Sequence, residues 1–101
     1  MEGSAKMKVP GGKMVEVRVE FGEAVTKARI LGDFFMYPDT ALEGIESLLV
    51  GTQPQESEAA IAKRISTLVK LEGATMIGLT PEAIANVVKR AIENAMESNK
   101  A

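Results

Sequence analysis

The sequence predicts an α+β domain, in which a small antiparallel sheet of two or three strands is followed by about three helices that cover one of its faces. Apolar residues recur at every second position in the first third of the chain and at helical spacing beyond residue 38. The 101 residues show no internal repeat and suffice for one compact core. We therefore expect one domain over residues 1–101, with residues 1–6 and 97–101 flexible.

The strand signal is strongest between residues 13 and 21, where apolar and charged side chains alternate. This pattern is typical of a strand with one buried and one solvated face. Gly22-Glu23 predicts a tight turn, and residues 24–31 form a weaker alternating strand. We expect the two strands to pair as a hairpin, whose uncovered face and edge are candidate partner surfaces.

Three helical segments follow Pro38. Asp39 is the expected N-cap of the first, and Gly51 marks its end. Glu72-Gly73 ends the second, and after an apolar connector the third begins at Thr80-Pro81 with a capping hydroxyl and a proline. The predicted buried faces are, in order, Leu42, Ile45, Leu48 and Leu49; Ile61, Ile65, Leu68 and Val69; Ile84, Val87, Val88 and Ala91.

The composition excludes much chemistry, because the chain contains no cysteine and no histidine. Thiolate catalysis, histidine general bases and Cys or His metal sites are therefore ruled out. The net charge of -2 implies no general attraction to nucleic acid or to anionic membranes. We expect no catalytic residue and no metal site in this chain, and a cytoplasmic location.

Three of the four aromatic residues lie within the segment 34–37. Alternation predicts that Phe34 joins the core while Phe35 faces outward, although Gly32 invites a bulge that would reset this register. We assign Phe35, Tyr37 and Asp33 to a partner interface. For Asp33, a hydrogen bond to backbone in a turn or bulge is favoured over contact with a ligand or magnesium.

The segment Gly11-Gly12-Lys13 has two interpretations. Its backbone N–H groups and ammonium could approach a phosphate, as a backbone nest does. The alternative is a flexible entry to the first strand, and this interpretation is favoured because no helix N-terminus follows. Lys6 and Lys8 lie close by in the sequence and keep the first interpretation open.

Four motifs occur in a specific order along nearly the whole chain. They are Gly11-Gly12-Lys13 before the first predicted strand, Gly32-Asp33-Phe34-Phe35, Leu49-Val50-Gly51 at a helix end, and Ile77-Gly78-Leu79-Thr80-Pro81 at a helix start. In this order and spacing the chain resembles the small C-terminal, or accessory, domain of lipoate-protein ligases. It is most similar to versions in which this domain is a separate polypeptide.

The resemblance implies an accessory subunit of a two-chain lipoate-protein ligase, whose large catalytic subunit is the partner. Such ligases convert lipoate and ATP to lipoyl-AMP and then transfer the lipoyl group to a lysine of an acceptor protein. The small domain is needed chiefly for the first step, and its position changes between steps. ATP, lipoate and Mg then belong to the assembled ligase, where Gly11, Gly12 and Lys13 could approach a phosphate of ATP or of the adenylate. This chain alone binds no cofactor.

Two other functions are considered. A free-standing binding or scaffold module without enzymatic role is the main alternative, although the lack of cysteine argues against sulfur-acceptor or iron-sulfur scaffolds. An RNA-binding module based on Lys6, Lys8 and Lys13 is disfavoured, because overall basic charge and interleaved aromatic residues are missing. We therefore expect neither a nucleic-acid nor a membrane partner.

Overall fold

The computed structural model describes residues 1–9, 11 and 13–98, and within them it confirms the α+β prediction. A three-stranded antiparallel sheet has the order β1-β2-β3, and a separate two-stranded ribbon pairs β4 with β5. The elements are β1 (Glu2–Lys8), β2 (Met14–Phe21), β3 (Val25–Gly32), β4 (Phe35–Tyr37), α1 (Thr40–Leu49), α2 (Glu58–Leu71), β5 (Thr75–Ile77) and α3 (Pro81–Ser98).

The core lies between one face of the sheet and the helices. Alternate residues of β2, from Val15 to Phe21, are buried, as the alternation predicts. The long helix α3 covers β1 and β2, α1 covers β3, and α2 packs against the other two helices. The predicted apolar faces of the helices point inward, although Leu42, Leu48, Leu68 and Val69 are only partly buried.

The N-terminal residues correct one prediction. Residues 1–6 were expected to be flexible, but Glu2–Lys8 forms β1 and pairs with β2 from Glu2 opposite Glu20 to Lys8 opposite Met14. The segment lacks large alternating apolar residues because its inward positions are Gly3, Ala5 and Met7. At the other end, residues 97 and 98 belong to α3, and residues 99–101 lie outside the described residues.

The connector between α2 and α3 contains a strand that the sequence does not predict. Residues 75–77 form β5, which pairs with β4 so that Met36 lies opposite Met76. The bulge that Gly32 invites is not formed in the main sheet. The register of the main sheet shifts between Glu20 and Phe21, whereas Gly32 remains paired with Val15 as the last residue of β3.

The helix ends agree with the sequence except at one cap. Thr80 Oγ1 accepts a hydrogen bond from Ala83 N at 3.1 Å, so α3 begins as predicted. Asp39 stands at the N-cap position of α1, but its side chain accepts no capping hydrogen bond from the described backbone. The first turn is instead closed by backbone bonds to the carbonyls of Pro38 and Asp39.

Helix side chains occupy both edges of the sheet. Asn94 Nδ2 donates to the Ser4 carbonyl at 2.7 Å, and Arg90 Nη1 donates to the Lys6 carbonyl at 3.1 Å. On the opposite edge, Ile30 N donates to Glu46 Oε2 at 2.7 Å. An added strand would have to displace these groups, so neither edge is a simple template for a partner strand.

None of the helices formed by the described residues has the length and apolar character needed to cross a membrane.

Candidate partner-docking site

The fold brings three of the four sequence motifs to one end of the molecule. We call this surface the ribbon end and define it by Gly11, Lys13, Asp33, Phe35, Tyr37, Ile77 and Gly78. These residues come from the β1–β2 loop, the β3–β4 junction, the β4–β5 ribbon and the turn before α3. The fourth motif, Leu49-Val50-Gly51, instead ends α1, where Gly51 N bonds to the Val25 carbonyl at 2.7 Å.

Backbone groups of the adjacent residues Lys13 and Met14 are hydrogen-bonded to the other two motifs of the ribbon end. Lys13 N donates to the Gly78 carbonyl at 3.4 Å. Met14 N donates to Asp33 Oδ1 at 2.8 Å, and Asp33 N donates back to the Met14 carbonyl at 3.3 Å. The start of β2 is therefore held from both sides, which fixes Lys13, the β3–β4 junction and the β5–α3 turn relative to one another.

Gly32 and Gly78 are required for this close approach. Gly32 has φ 152°, and a Cβ there would collide with the carbonyl oxygen of Met14. Gly78 has φ 78°, and a Cβ there would lie 2.8 Å from Lys13 Cγ. Glycine is favoured where φ is positive and where backbone or side chain comes this close.

Asp33 bonds to backbone, as the sequence favours, but not to that of a turn or bulge of its own. Its carboxylate bonds to the backbone of Met14, 19 residues away in sequence. The side chain is exposed, so its second oxygen faces solvent. Asp33 therefore has a structural contact within the ribbon end, and its assignment to a partner interface stays a prediction.

The aromatic pair is divided between two environments, as alternation predicts. Phe34 is partly buried and packs against the core, whereas Phe35 is 56% exposed. Met36, the next inward residue, is buried, and Tyr37 is 66% exposed. A shallow groove beside them is lined partly by Phe34, Phe35 and Leu42.

Ile77 belongs to the same surface, although the sequence analysis does not assign it to the partner interface. It is paired with Phe35 across the ribbon and is 59% exposed. The alternation of Thr75, Met76 and Ile77 is the only sequence signal for this strand, and three residues are too few to distinguish a strand from an apolar connector. Phe35, Tyr37 and Ile77 together form the apolar part of the ribbon end.

The predicted phosphate-binding segment is described only in part. Gly11 is exposed with φ 68°, Lys13 is exposed with its aliphatic stem over Gly78, and Gly12 lies outside the described residues. Val9 N donates to the Lys13 carbonyl at 3.0 Å and closes the loop. Lys6 and Lys8 are exposed on β1, Lys6 directly opposite Glu16. An approach of Gly11 and Lys13 to a phosphate stays a prediction.

The chemistry available at the ribbon end favours binding over catalysis. It offers three exposed apolar side chains, one ammonium group and one carboxylate that already accepts a backbone hydrogen bond. No group of three or more acidic residues that could hold a metal ion occurs among the described residues. Exposed aromatic and aliphatic side chains beside a few charges are typical of a protein-docking surface.

A solved structure shares this fold. It belongs to an archaeal lipoylation system from Thermoplasma acidophilum, described as a bi-partite lipoate protein ligase and its E2 lipoyl domain. The match has a TM-score of 0.69 and 24% sequence identity, and it covers 87% of this chain and 94% of the solved chain. No family model and no curated protein matches this chain. The chain therefore has the fold of a similarly sized chain from a lipoate-ligase system, in agreement with the resemblance carried by its motifs.

Proposed function

We propose that this chain is the accessory subunit of a two-chain lipoate-protein ligase and that it docks on the large catalytic subunit through the ribbon end. The observation that carries the proposal is the convergence of Lys13, the segment Gly32-Asp33-Phe34-Phe35 and Ile77-Gly78 on one surface. The shared fold with a chain of the archaeal system supports it.

The proposed role is to complete the ATP-dependent formation of lipoyl-AMP in the cytoplasm. That step requires alignment of the lipoate carboxylate with the α-phosphate of ATP and exclusion of water from the mixed anhydride. A docked subunit can provide closure without owning a catalytic residue. Subsequent transfer of the lipoyl group to a lysine of an acceptor protein is the task of the large subunit, so this chain contacts acceptors only indirectly.

The ribbon end is suited to such docking because hydrogen bonds hold its backbone while apolar side chains are exposed on it. Hydrogen bonds at Lys13, Met14 and Asp33 fix the backbone. Phe35, Tyr37 and Ile77 then present apolar surface without rearrangement of the core. In the complex, Lys13 would stand beside this apolar surface, where its ammonium could approach a phosphate of ATP or of the adenylate together with Gly11 and Gly12.

The decisive experiment measures the two reaction steps separately with the cognate large subunit. Formation of lipoyl-AMP, monitored as release of pyrophosphate, should depend on this chain. Transfer from preformed lipoyl-AMP to an acceptor should proceed comparably with and without it. Equal rates of lipoyl-AMP formation with and without the chain would refute the proposal, and recovery of unrelated partners from native cells would favour the scaffold alternative.

A matched pair of variants tests the docking surface. Ile77→Glu places a charge in the apolar part of the ribbon end and should abolish stimulation of lipoyl-AMP formation. Leu71→Glu makes the same change at an exposed leucine at the end of α2 and should leave stimulation intact. Stimulation that survives Ile77→Glu would assign docking to another surface.

A further inference from the structure

The outer face of the three-stranded sheet is open to solvent, because the helices pack on its inner face. Its outward positions carry more basic than acidic side chains. The charged residues at these positions are Lys6, Lys8, Arg18, Lys27 and Arg29, with Glu2, Glu16 and Glu20. The whole chain, in contrast, has 12 basic and 14 acidic residues. The outer face is therefore a basic surface on an acidic chain.

Charges of like sign are directly opposite each other in two neighbouring rows of this face. Glu2 of β1 is paired with Glu20 of β2. In the next row, Arg18 of β2 is paired with Arg29 of β3. Side chains opposed in this way have Cβ atoms about 5 Å apart, and like charges at this distance destabilise a sheet.

The chain offsets this repulsion only in part at the arginine row. Arg18 Nε donates to Glu16 Oε2 at 2.9 Å, and the Arg18 side chain is still 63% exposed. Arg29 is exposed, and its side chain forms no hydrogen bond or ion pair with any described residue. The arginine row consequently offers free guanidinium N–H groups, whose planar fork suits a carboxylate.

We propose that the large catalytic subunit places a carboxylate-bearing surface against Arg18 and Arg29, so that its contact extends from the ribbon end along the outer face. The inference rests on the proposed function and names the chemistry of the partner surface. Met14, which is hydrogen-bonded to Asp33 of the ribbon end, lies on the same face as Arg18 and about 13 Å from it along β2. A standard interface covers about 800 Å² of each partner and is wide enough to include both.

The mixed pattern of charges favours a protein over a nucleic acid as the occupant. The Glu2–Glu20 row is adjacent to the arginine row and would repel the evenly spaced phosphates of a polyanion. Aromatic rings, on which bases stack, are missing from the outward positions of the three described strands. A folded protein can present acidic groups to one row and basic or neutral groups to the next, which relieves the repulsion in both.

Arg29→Glu distinguishes a role in binding from a role in stability. The melting temperature of the full chain should stay within about 3 °C of wild type, because the substitution is at the surface and removes the opposition to Arg18. Association with the large subunit in about 50 mM NaCl should weaken about fivefold or more, mainly through a slower association rate. Arg29→Lys keeps the charge and should bind within about twofold of wild type. Lys70→Glu, the same reversal at an exposed lysine of α2, should bind like wild type.

Salt separates this contact from the apolar one. Binding kinetics measured in about 50 and about 500 mM NaCl should show that the defect of Arg29→Glu disappears at high salt, where exposed charges are screened. The defect of Ile77→Glu should persist at both concentrations. Wild-type binding by Arg29→Glu at low salt, or a defect that persists at high salt, would overturn the inference while stimulation of lipoyl-AMP formation by the wild-type chain upholds the proposed function. Absence of that stimulation would refute the proposed function and this inference with it.

Discussion

Asp33 shows how one side chain organises a surface without performing chemistry. It lies beside exposed aromatic rings, where an acid invites a ligand or metal interpretation. Its Oδ1 accepts the N–H of Met14 at 2.8 Å, and its own N–H donates to the Met14 carbonyl. This reciprocal pair fastens the β3–β4 junction to the start of β2. Asp33 should therefore affect function indirectly, by holding neighbouring residues in position.

Two substitutions at Asp33 distinguish the role of its hydrogen-bond acceptor from the role of its negative charge. Asp33→Ala should lower the free energy of unfolding by about 1 kcal/mol, because the N–H of Met14 loses its acceptor. Asp33→Asn keeps an acceptor oxygen and should retain most of that stability and also the binding of the large subunit. Urea denaturation and a binding titration provide the two measurements. A loss of binding in a fully stable Asp33→Asn would show that the negative charge itself contacts the partner.

At the scale of elements, the contact of α3 with β1 explains an unusual strand. The inward residues Gly3, Ala5 and Met7 are mostly small, and α3 presents Ala91 and Ala95 to them. A Cβ on Gly3 would collide with the carbonyl oxygen of Ala91 and would lie 2.7 Å from the Cβ of Ala95. At Gly3 the helix thus approaches β1 so closely that no side chain fits between them.

Gly3→Ala tests this close contact. The added methyl group meets backbone atoms of α3, so the helix or the strand must shift, and we expect a loss of about 1–3 kcal/mol in the free energy of unfolding. Gly22→Ala is the control, since a Cβ at that position meets nothing within 4 Å. Its stability should stay within about 0.5 kcal/mol of wild type. Equal stability of both variants in thermal and urea denaturation would mean that residues 2–8 do not hold this position in solution.

At the scale of the whole molecule, two separate groups of apolar side chains lie at the surface of the described residues, besides scattered ones such as Val50 and Met96. One is the ribbon end, where Phe35, Tyr37 and Ile77 stand on a small ribbon outside the main sheet. The other is a leucine-lined groove between α1 and α2, with Leu71 at its rim. The charged outer face of the sheet adjoins the ribbon end and carries Arg18 in an ion pair with Glu16 at 2.9 Å. The two apolar regions can therefore be altered independently.

The aromatic pair tests the division between core and surface. Phe35→Ala should leave the isolated domain as stable as wild type to within about 0.5 kcal/mol. It should weaken association with the large subunit about 10- to 30-fold, the effect of losing an interface anchor. Phe34→Ala should cost about 2–3 kcal/mol of stability, less than a fully buried aromatic, because Phe34 is only partly buried. Similar destabilisation by both would reject the assignment of the two rings to different environments.

Much of this architecture follows from local pattern. The alternation of Val15, Val17 and Val19 defines a half-buried strand in any fold that buries one of its faces. The capping hydroxyl of Thr80 with Pro81 marks a helix start whatever the helix packs against. The separation of Phe34 from Phe35 follows from the same two-residue period. These features were predictable because each depends on neighbours only a few residues away.

The remainder was decided by contacts between distant segments. β1 carries no strong pattern partly because α3, some 90 residues later, leaves no room for a side chain at its inward position Gly3. β5 is too short to be identified without β4, its partner across the ribbon. The sequence by itself determined the α+β class, the hairpin, the three helices and the motif order. Only the tertiary structure decided that Lys13, Asp33 and Ile77 share one surface. The hydrogen bonds and close glycine contacts that bring them together join segments far apart in the sequence, and no local pattern in either segment indicates its partner.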